Sequence, residues 1–213
     1  MSDEIARDRA YVDAARQNPE AFGIIFDLYY SKILSYALRR TGDASLAQDI
    51  VAETFSKAFK NVKQFTWRGA PFSSWLYRIA GNEIKMHLRR PHRSVSLERL
   101  TDAGFDVAAQ EIATERELLS DLASRDKEFV QVMKSLKKLG SRYQEVIALR
   151  YMEEKEVGEI AVIIGAREGT VRSLLSRGLA KLRQELRAPM QQTATERITT
   201  GEGRSVLSVI KQN

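Results

Sequence analysis

Basic and hydroxyl side chains line one side of a segment near residue 180 that has helical periodicity. Its apolar residues recur at spacings of four, four, three and four, and at 100° per residue they share a face about 80° wide: Val171, Leu175, Leu179, Leu182 and Leu186. Groups suited to bind phosphates or base edges lie on the other side: Arg172, Ser173, Ser176, Arg177 and Lys181. Five basic residues and one acidic residue occur from Gly169 to Arg187. This composition favours contact with a polyanion.

A short apolar segment precedes this helix and predicts a helix of its own. Its apolar set is Ile160, Ala161, Ile163 and Ile164, and the two helices are joined by Gly165-Ala166-Arg167. A glycine in a tight turn before a helix with a basic exposed face is typical of a helix-turn-helix. A basic amphipathic helix in an ordinary bundle is the alternative. The pattern favours DNA binding.

A second basic stripe lies within the segment from Phe72 to Arg90. Its members are spaced four, three and four, between two apolar faces of the predicted helix: Arg78, Asn82, Lys85 and Arg89. Five basic residues and one acidic residue occur from Phe72 to Arg93. Because apolar faces border the stripe on both sides, solvation alone explains it poorly. We predict phosphate or base contact here.

The segment before this helix, from Asn61 to Pro71, breaks the helical pattern. Gly69 and Pro71 indicate a loop, and Phe65 and Trp67 are large aromatic residues within it. Such rings can fill the core beneath a loop, or they can stack on an unpaired base. The sequence alone leaves both roles open.

An acidic pair lies on the helix predicted from Leu46 to about Val62. Asp49 and Glu53 are four residues apart and opposite the apolar face, so their like charges slightly destabilise the helix. Lys57, four residues further, offsets part of that cost. The pair is either a solvated face or a contact for a basic partner surface.

Composition narrows the class of protein. The chain has 213 residues with no cysteine, which excludes disulfides and thiolate zinc sites and suits a reducing cytoplasm. Strand signals are scarce, and no apolar run approaches the roughly 18 residues of a membrane span. The N-terminus lacks the apolar core of a signal peptide. A formal net charge of +6 favours a polyanionic partner. We therefore expect an all-α, cytoplasmic protein of two small helical domains.

The expected domains are separated by an acidic linker. Residues 1–93 form the first domain, 94–128 the linker and entry to the second, 129–187 the helix-turn-helix domain, and 188–213 a tail. The segment from Ser94 to Glu128 holds nine acidic and four basic residues. Helical spacing returns from Glu111 to Leu139, and Pro189 is expected to end the second helix of the helix-turn-helix.

These modules together resemble the bacterial extracytoplasmic-function (ECF) sigma factors, the compact promoter-recognition subunits of RNA polymerase. The first module matches in DIVAETFSKAF (49–59) and FSSWLYRIAGNEIKMHLRR (72–90). The second matches in YQEVIALRYMEEKEVGEIAVIIGAREGTVRSLLSRGLAKLR (143–183). A single helix-turn-helix is weak evidence, whereas both modules in this order are strong evidence.

The resemblance implies a role for each feature. Asp49 and Glu53 would dock on the clamp helices of the polymerase β′ subunit. A second set would engage the opened −10 element, where a base is flipped out: Asn61, Gln64, Phe65, Arg78, Asn82, Lys85 and Arg89. Arg172, Ser173, Ser176, Arg177 and Lys181 would read the −35 element in the major groove. Leu174, where many relatives carry Arg, would pack or touch a thymine methyl group. An anti-sigma factor is the further partner that the resemblance implies.

Two alternative functions remain at this point. One is a helix-turn-helix regulator that does not join the polymerase, and the other is a sigma mimic that sequesters an anti-sigma factor. The acidic pair and aromatic loop count against the first, and the two basic stripes count against the second. An enzyme is the poorest candidate, since His87 and His92 form neither a metal-ligand set nor a pair with a nucleophile. No cofactor or metal is expected.

Overall fold

A computed structural model of the chain describes residues 2–89 and 127–199, with side chains over 5–88 and 131–186. Its α-helices are α1 Ser2–Gln17, α2 Phe22–Thr41, α3 Ala44–Asn61, α4 Phe72–Arg89, α5 Lys127–Lys137, α6 Ser141–Tyr151, α7 Val157–Ile164 and α8 Glu168–Thr199. Short 3-10 turns occupy Pro19–Ala21 and Val62–Gln64. No strand occurs within the two described ranges, and the all-α prediction is confirmed.

Short polar residues and a glycine set the helix boundaries, as their types predict. The Asn18 side chain accepts a hydrogen bond of 3.0 Å from the Glu20 N–H, where the chain enters the turn before α2. Gly42 ends α2 with a φ of 67°, a left-handed conformation that glycine adopts without steric cost. Asp43 then caps α3 by accepting a bond of 3.1 Å from the Leu46 N–H.

Helices α1–α4 form a first bundle around large apolar side chains. α3 packs between α2 and α4, and α1 lies against α2 and the turn after α3. Fully or almost fully buried rings and aliphatic groups fill the centre: Phe22, Ile25, Tyr29, Ile33, Ile50, Phe72, Leu76 and Ile84. Burial of such side chains contributes about 1.5–3 kcal/mol each, which holds α4 and the preceding loop in place.

Helices α5–α8 form a second bundle that carries the helix-turn-helix. Gly165 ends α7 with a φ of 66°, and α8 begins three residues later. Gly178 faces Ile147 and Tyr143 so closely that an added Cβ would lie 3.1 Å from the isoleucine, so α8 lies close against α6. Leu174 is only 8% exposed and belongs to the core. It packs, and the alternative of thymine contact is not supported.

The two bundles touch each other. α2 contacts α6, and α4 contacts α7, so the buried apolar residues of both bundles form one continuous cluster. The polar face of α4 is therefore partly covered by the second bundle.

Three features differ from expectation or fall outside the described chain. α8 does not end at Pro189 but continues to Thr199. An internal proline removes one helical hydrogen bond and strains one turn, which kinks a helix without always ending it. α1 has no counterpart among the predicted helices. Residues 90–126, with most of the acidic linker, and 200–213 lie outside the described residues, so the domain boundaries stay predictions.

Candidate nucleic-acid interface

A pocket of about 640 Å³ lies between the loop of residues 62–71 and the polar face of α4. It brings together side chains from α3, the 62–71 loop and α4 that are up to 26 residues apart in sequence. Five of the residues predicted for −10 contact line it: Asn61, Gln64, Phe65, Arg78 and Asn82. The spacing of charges predicted the stripe on α4, and the structure adds the loop that faces it.

Phe65 lines this pocket and packs against three other aromatic rings. Its side chain is 9% exposed, and its ring centroid lies 5.0 Å from those of Trp67, Phe72 and Trp75. Edge and tilted contacts of this kind stabilise an aromatic cluster. Of the two roles open to the loop aromatics, core filling describes Phe65. Trp75 is half-buried and also lines the pocket, so it is the better placed ring for a base to stack on.

Positive charge dominates the pocket wall. Lys57, Arg68 and Arg78 line it, and Glu83 supplies the one carboxylate among its described lining residues. Glu83 is buried and lies 2.6 Å from Lys57 Nζ, so this lysine is held at the wall. A concave site with excess cationic charge and an indole ring suits a nucleotide, because phosphate oxygens accept from the cations while the base meets the ring.

Two predicted −10 residues do not line the pocket. Lys85 Nζ lies 2.8 Å from Glu145 Oε1 in α6, and this carboxylate is 4% exposed. Lys85 is therefore paired with the second bundle in this arrangement. Arg89 is the last residue of α4, and its side chain lies outside the described part of the chain.

The second bundle also reaches the pocket itself. Val162 of α7 lines the pocket, and Arg78 Nη2 lies 3.6 Å from the position of a Cβ at Gly165. Gly81 leaves room for the carboxylate of Glu145, because a Cβ there would lie 2.8 Å from Glu145 Oε1. The polar face of α4 is thus shared between the open pocket and the contact with α6 and α7.

A buried polar cluster fixes this contact between the bundles. Arg39 Nη1 donates to Glu153 Oε1 at 2.7 Å, and the Tyr77 hydroxyl donates to Glu153 Oε2 at 2.8 Å. Lys155 Nζ lies 5.3 Å from the Tyr77 ring centroid and donates to Ser73 Oγ at 3.2 Å. Burial raises the pKa of the Glu153 carboxyl, while the bond from Tyr77 and the charge of Arg39 lower it by less.

The predicted −35 residues occupy one exposed side of α8. All five are exposed: Arg172, Ser173, Ser176, Arg177 and Lys181. Arg172 Nη2 lies 2.6 Å from Glu168 Oε2, and Arg177 donates to Ser173 Oγ at 2.9 Å. Ion pairs between exposed side chains contribute about 1 kcal/mol or less, so phosphate or base edges can displace them.

Asp49 and Glu53 lie side by side on α3, outside the pocket. Burial raises the pKa of the Asp49 carboxyl, the charge of His87 lowers it, and those of Asp43 and Glu53 raise it further. Glu53 lies 3.9 Å from Lys57, which is itself closer to Glu83. Both carboxylates remain partly exposed and can meet a basic surface.

Several pocket residues had no predicted role: Lys57, Thr66, Arg68, Trp75, Glu83 and Val162. Arg68 lies in the predicted loop and Glu83 is the one acidic residue between Phe72 and Arg93, so their residue types were a usable signal. Val162 had none, because it belongs to the other bundle. Within the described residues, no group of three acidic or histidine side chains is arranged to hold a metal ion. No helix there is long and apolar enough to cross a membrane.

Known families match both bundles. A model of sigma-70 region 2 matches residues 25–94, and a model of sigma-70 region 4 matches residues 129–182. The ECF RNA polymerase sigma factor SigW of Bacillus subtilis (strain 168) is 31% identical over 170 residues, which cover 79% of this chain and 90% of SigW. The ECF RNA polymerase sigma factor BldN of Streptomyces coelicolor is 28% identical over 76% of this chain, which spans 59% of the BldN length.

A solved structure shares the fold. The match is to a chain in the co-crystal structure of the sigma factor RpoE with the anti-sigma factor NepR from Bartonella quintana, with a TM-score of 0.56 at 20% identity. It covers 78% of this chain and 96% of that chain. The matches to both sigma-70 regions and the identity to SigW show that the chain belongs to the family of ECF RNA polymerase sigma factors.

Proposed function

We propose that this sigma factor, which directs core RNA polymerase to specific promoters, uses three separate surfaces for that task. The pocket between the 62–71 loop and α4 takes an unpaired base of the −10 element. The exposed side of α8 reads the −35 element in the major groove. The acidic pair Asp49 and Glu53 docks on the β′ clamp helices.

The observation that carries the −10 assignment is the pocket itself. It gathers Asn61 at the end of α3, Gln64 of the loop, and Arg78 and Asn82 of α4 around one concave volume. The amide side chains offer both donors and acceptors, as base edges require, and the cations suit the flanking phosphates. Flipping a base costs a few kcal/mol, which contacts within such a pocket offset.

The −35 assignment is supported by a different kind of geometry. The basic and hydroxyl side chains of α8 project from one exposed side, while Leu174 and Leu175 hold the opposite side in the core. A helix so oriented can enter a major groove with its polar side toward the bases. The function proposed here is binding and melting of DNA within a cytoplasmic polymerase complex, with no catalytic step on this chain.

An anti-sigma factor is the further partner that we propose. The family relation and the shared fold with a sigma factor bound to NepR support it. The contact between the bundles covers only part of the polar face of α4. A regulator could therefore bind the part that stays open or the part that contacts α6 and α7.

Run-off transcription with purified core polymerase on a fragmented genomic library tests this function. Specific starts that share two short upstream motifs are expected, and they would identify the promoter. DNA binding by the purified chain without any transcripts would instead indicate an independent regulator. Neither transcripts nor DNA binding would indicate a mimic that captures an anti-sigma factor.

A further inference from the structure

Helix α1 contacts the 62–71 loop at both of its ends, although α1 precedes the region matched by the family model, which begins at residue 25. It packs against α2, α4 and the 3-10 turn of Val62–Gln64. None of the promoter contacts proposed above involves it. Its role must therefore be sought in what it holds.

The first contact is made by Arg16 at the start of the loop. Its Nε donates to the Val62 carbonyl at 3.3 Å, and its Nη2 donates to the Phe65 carbonyl. Its Nη1 pairs with Asp13 at 3.1 Å, within α1. One planar guanidinium thus bridges two carbonyls of the turn that carries Gln64 and Phe65. The planar group of Arg suits such paired bonds, because its donors are fixed relative to each other.

The second contact is made by Asp8 at the end of the loop. This carboxylate is 1% exposed, accepts a bond of 2.9 Å from the Phe72 N–H and accepts one of 2.6 Å from the Tyr29 hydroxyl. It fixes the first residue of α4 to α1 and α2. Asp8 and Arg16 are about 12 Å apart along the α1 axis at 1.5 Å per residue, so they grip the loop at two separate points.

A third contact lies between these two. The Arg9 guanidinium lies 5.5 Å from the ring centroid of Trp67, in the middle of the loop. Such a cation–π contact at an exposed site is weaker than a bond to a buried carboxylate. It adds a contact between α1 and the middle of the loop.

We propose that α1 positions the 62–71 loop for base selection. Arg16 is the positioning residue, because it holds the start of the loop, where Gln64 and Phe65 line the pocket. This inference rests on the proposed −10 function of the pocket. Arg16 touches no base. It holds the turn that presents Gln64 and Phe65, so that the amide side chains meet one base shape and reject others. Loss of the bridge lets the turn move and lowers discrimination between bases.

The chain contains its own reporter of this loop. Its two tryptophans are Trp67 and Trp75, one in the loop and one on the pocket wall. Quenching of tryptophan fluorescence by acrylamide therefore measures how accessible the loop and the pocket wall are to a small solute, with no signal from elsewhere in the chain. The measurement needs neither DNA nor polymerase, so it tests the loop contact independently of the promoter function.

The test compares three full-length variants with the unchanged chain. Arg16→Ala removes both bonds, Arg16→Lys retains a cation that reaches one carbonyl, and Arg7→Ala removes an equal charge from an exposed position of the same helix. Arg16→Ala should increase quenching and lower base discrimination at the −10 element roughly tenfold, as expected for lost bonds to a charged group. Arg16→Lys should lie between, and Arg7→Ala should match the unchanged chain.

Discrimination is the ratio of initiation on the native promoter, once identified by run-off transcription, to initiation on a promoter with one −10 base changed. Affinity for core polymerase should stay constant in all variants, which separates positioning from general unfolding. Unchanged discrimination in Arg16→Ala would overturn the proposal if the pocket variant Asn82→Ala lowers the same ratio. If Asn82→Ala also has no effect, the −10 assignment of the pocket fails. A rise in quenching then still upholds the contact of Arg16 with the loop.

Discussion

The Tyr77 hydroxyl of α4 donates a hydrogen bond of 2.8 Å to Glu153, a residue of the other bundle. Both groups are buried, and burial raises the pKa of the phenol as well as that of the carboxyl. Arg39 and Lys155 surround the pair with positive charge. The bundles therefore meet through a polar cluster whose protonation is linked to their contact.

The contact between the bundles should weaken as pH rises. The pKa of Glu153 is raised above its ordinary 4.5 when the bundles touch, so proton uptake favours the closed arrangement. The contribution is complete below about pH 4.5 and is lost as pH rises through the raised pKa. Energy transfer between labels at Lys32→Cys and Gln184→Cys would measure the separation, since the chain has no native cysteine. Glu153→Gln should flatten the profile, and an unaltered profile in that variant would contradict the assignment.

Gly81→Ala should weaken the contact between the bundles while the first bundle stays folded, because the added methyl group must displace the Glu145 carboxylate. The added Cβ would lie 2.8 Å from Glu145 Oε1, and this carboxylate is pinned by Lys85. Alanine in a helix interior is otherwise more stable than glycine by about 0.5–1 kcal/mol. We expect a larger radius of gyration in small-angle scattering without a lower melting temperature. Gly23→Ala is the matched control, since an added Cβ there has no atom within 4 Å.

Arg172→Ala and Arg177→Ala should each weaken binding of the −35 element. If the arginine reads a base, its loss should weaken the binding free energy by about 1–3 kcal/mol and relax specificity at one base position. If it touches a phosphate, its loss should reduce the salt dependence of binding by about one unit of slope. Titrations of fluorescent promoter DNA at several salt concentrations distinguish these cases. Lys32→Ala, an exposed cation in the first bundle, serves as control. Equal affinity in both arginine variants would remove α8 from the −35 contact.

Asp49→Lys combined with Glu53→Lys should abolish binding of core polymerase, because like charges would then face the basic partner surface. The control is Glu20→Lys with Asp27→Lys, which changes the same charge at exposed positions. Pull-down of core polymerase at moderate salt measures the difference. Retained binding in the first variant would show that polymerase docks elsewhere.

Asp8→Ala should lower the free energy of unfolding by about 2–4 kcal/mol, since it leaves the Phe72 N–H and the Tyr29 hydroxyl without their buried acceptor. Urea denaturation followed by circular dichroism measures this loss. Asp27→Ala, at an exposed position, should change the stability by less than about 0.5 kcal/mol. A small loss in Asp8→Ala would mean that water replaces the carboxylate.

Local chemistry explains what could be predicted from the sequence. Asn18, Gly42 and Asp43 set helix boundaries through bonds to residues two to four positions away, which a sequence pattern contains. The stripe on α4 and the exposed side of α8 follow from periodicity in the same way. The ECF family was recognisable because both modules occur in order.

Long-range contacts explain what could not be predicted. Asp8 bonds to residues 21 and 64 positions away, and Glu153 bonds to residues 114 and 76 positions away. α1 buries few large apolar groups, among them Val12 at 0% exposure, so its pattern was too weak to predict a helix. Lys85 was assigned to DNA because nothing in the sequence pairs it with Glu145.

The cover over α4 also acts on binding equilibria through populations. A ligand that needs the Lys85 side of α4 binds only the open fraction of molecules, so its apparent dissociation constant equals the intrinsic constant divided by that fraction. A tenfold excess of closed molecules would weaken binding about tenfold. This factor acts on random DNA whenever the chain is free. In a holoenzyme that holds the bundles apart, this weakening disappears. The contact between the bundles therefore reduces binding of the free chain to random DNA without lowering the affinity of the holoenzyme for its promoter.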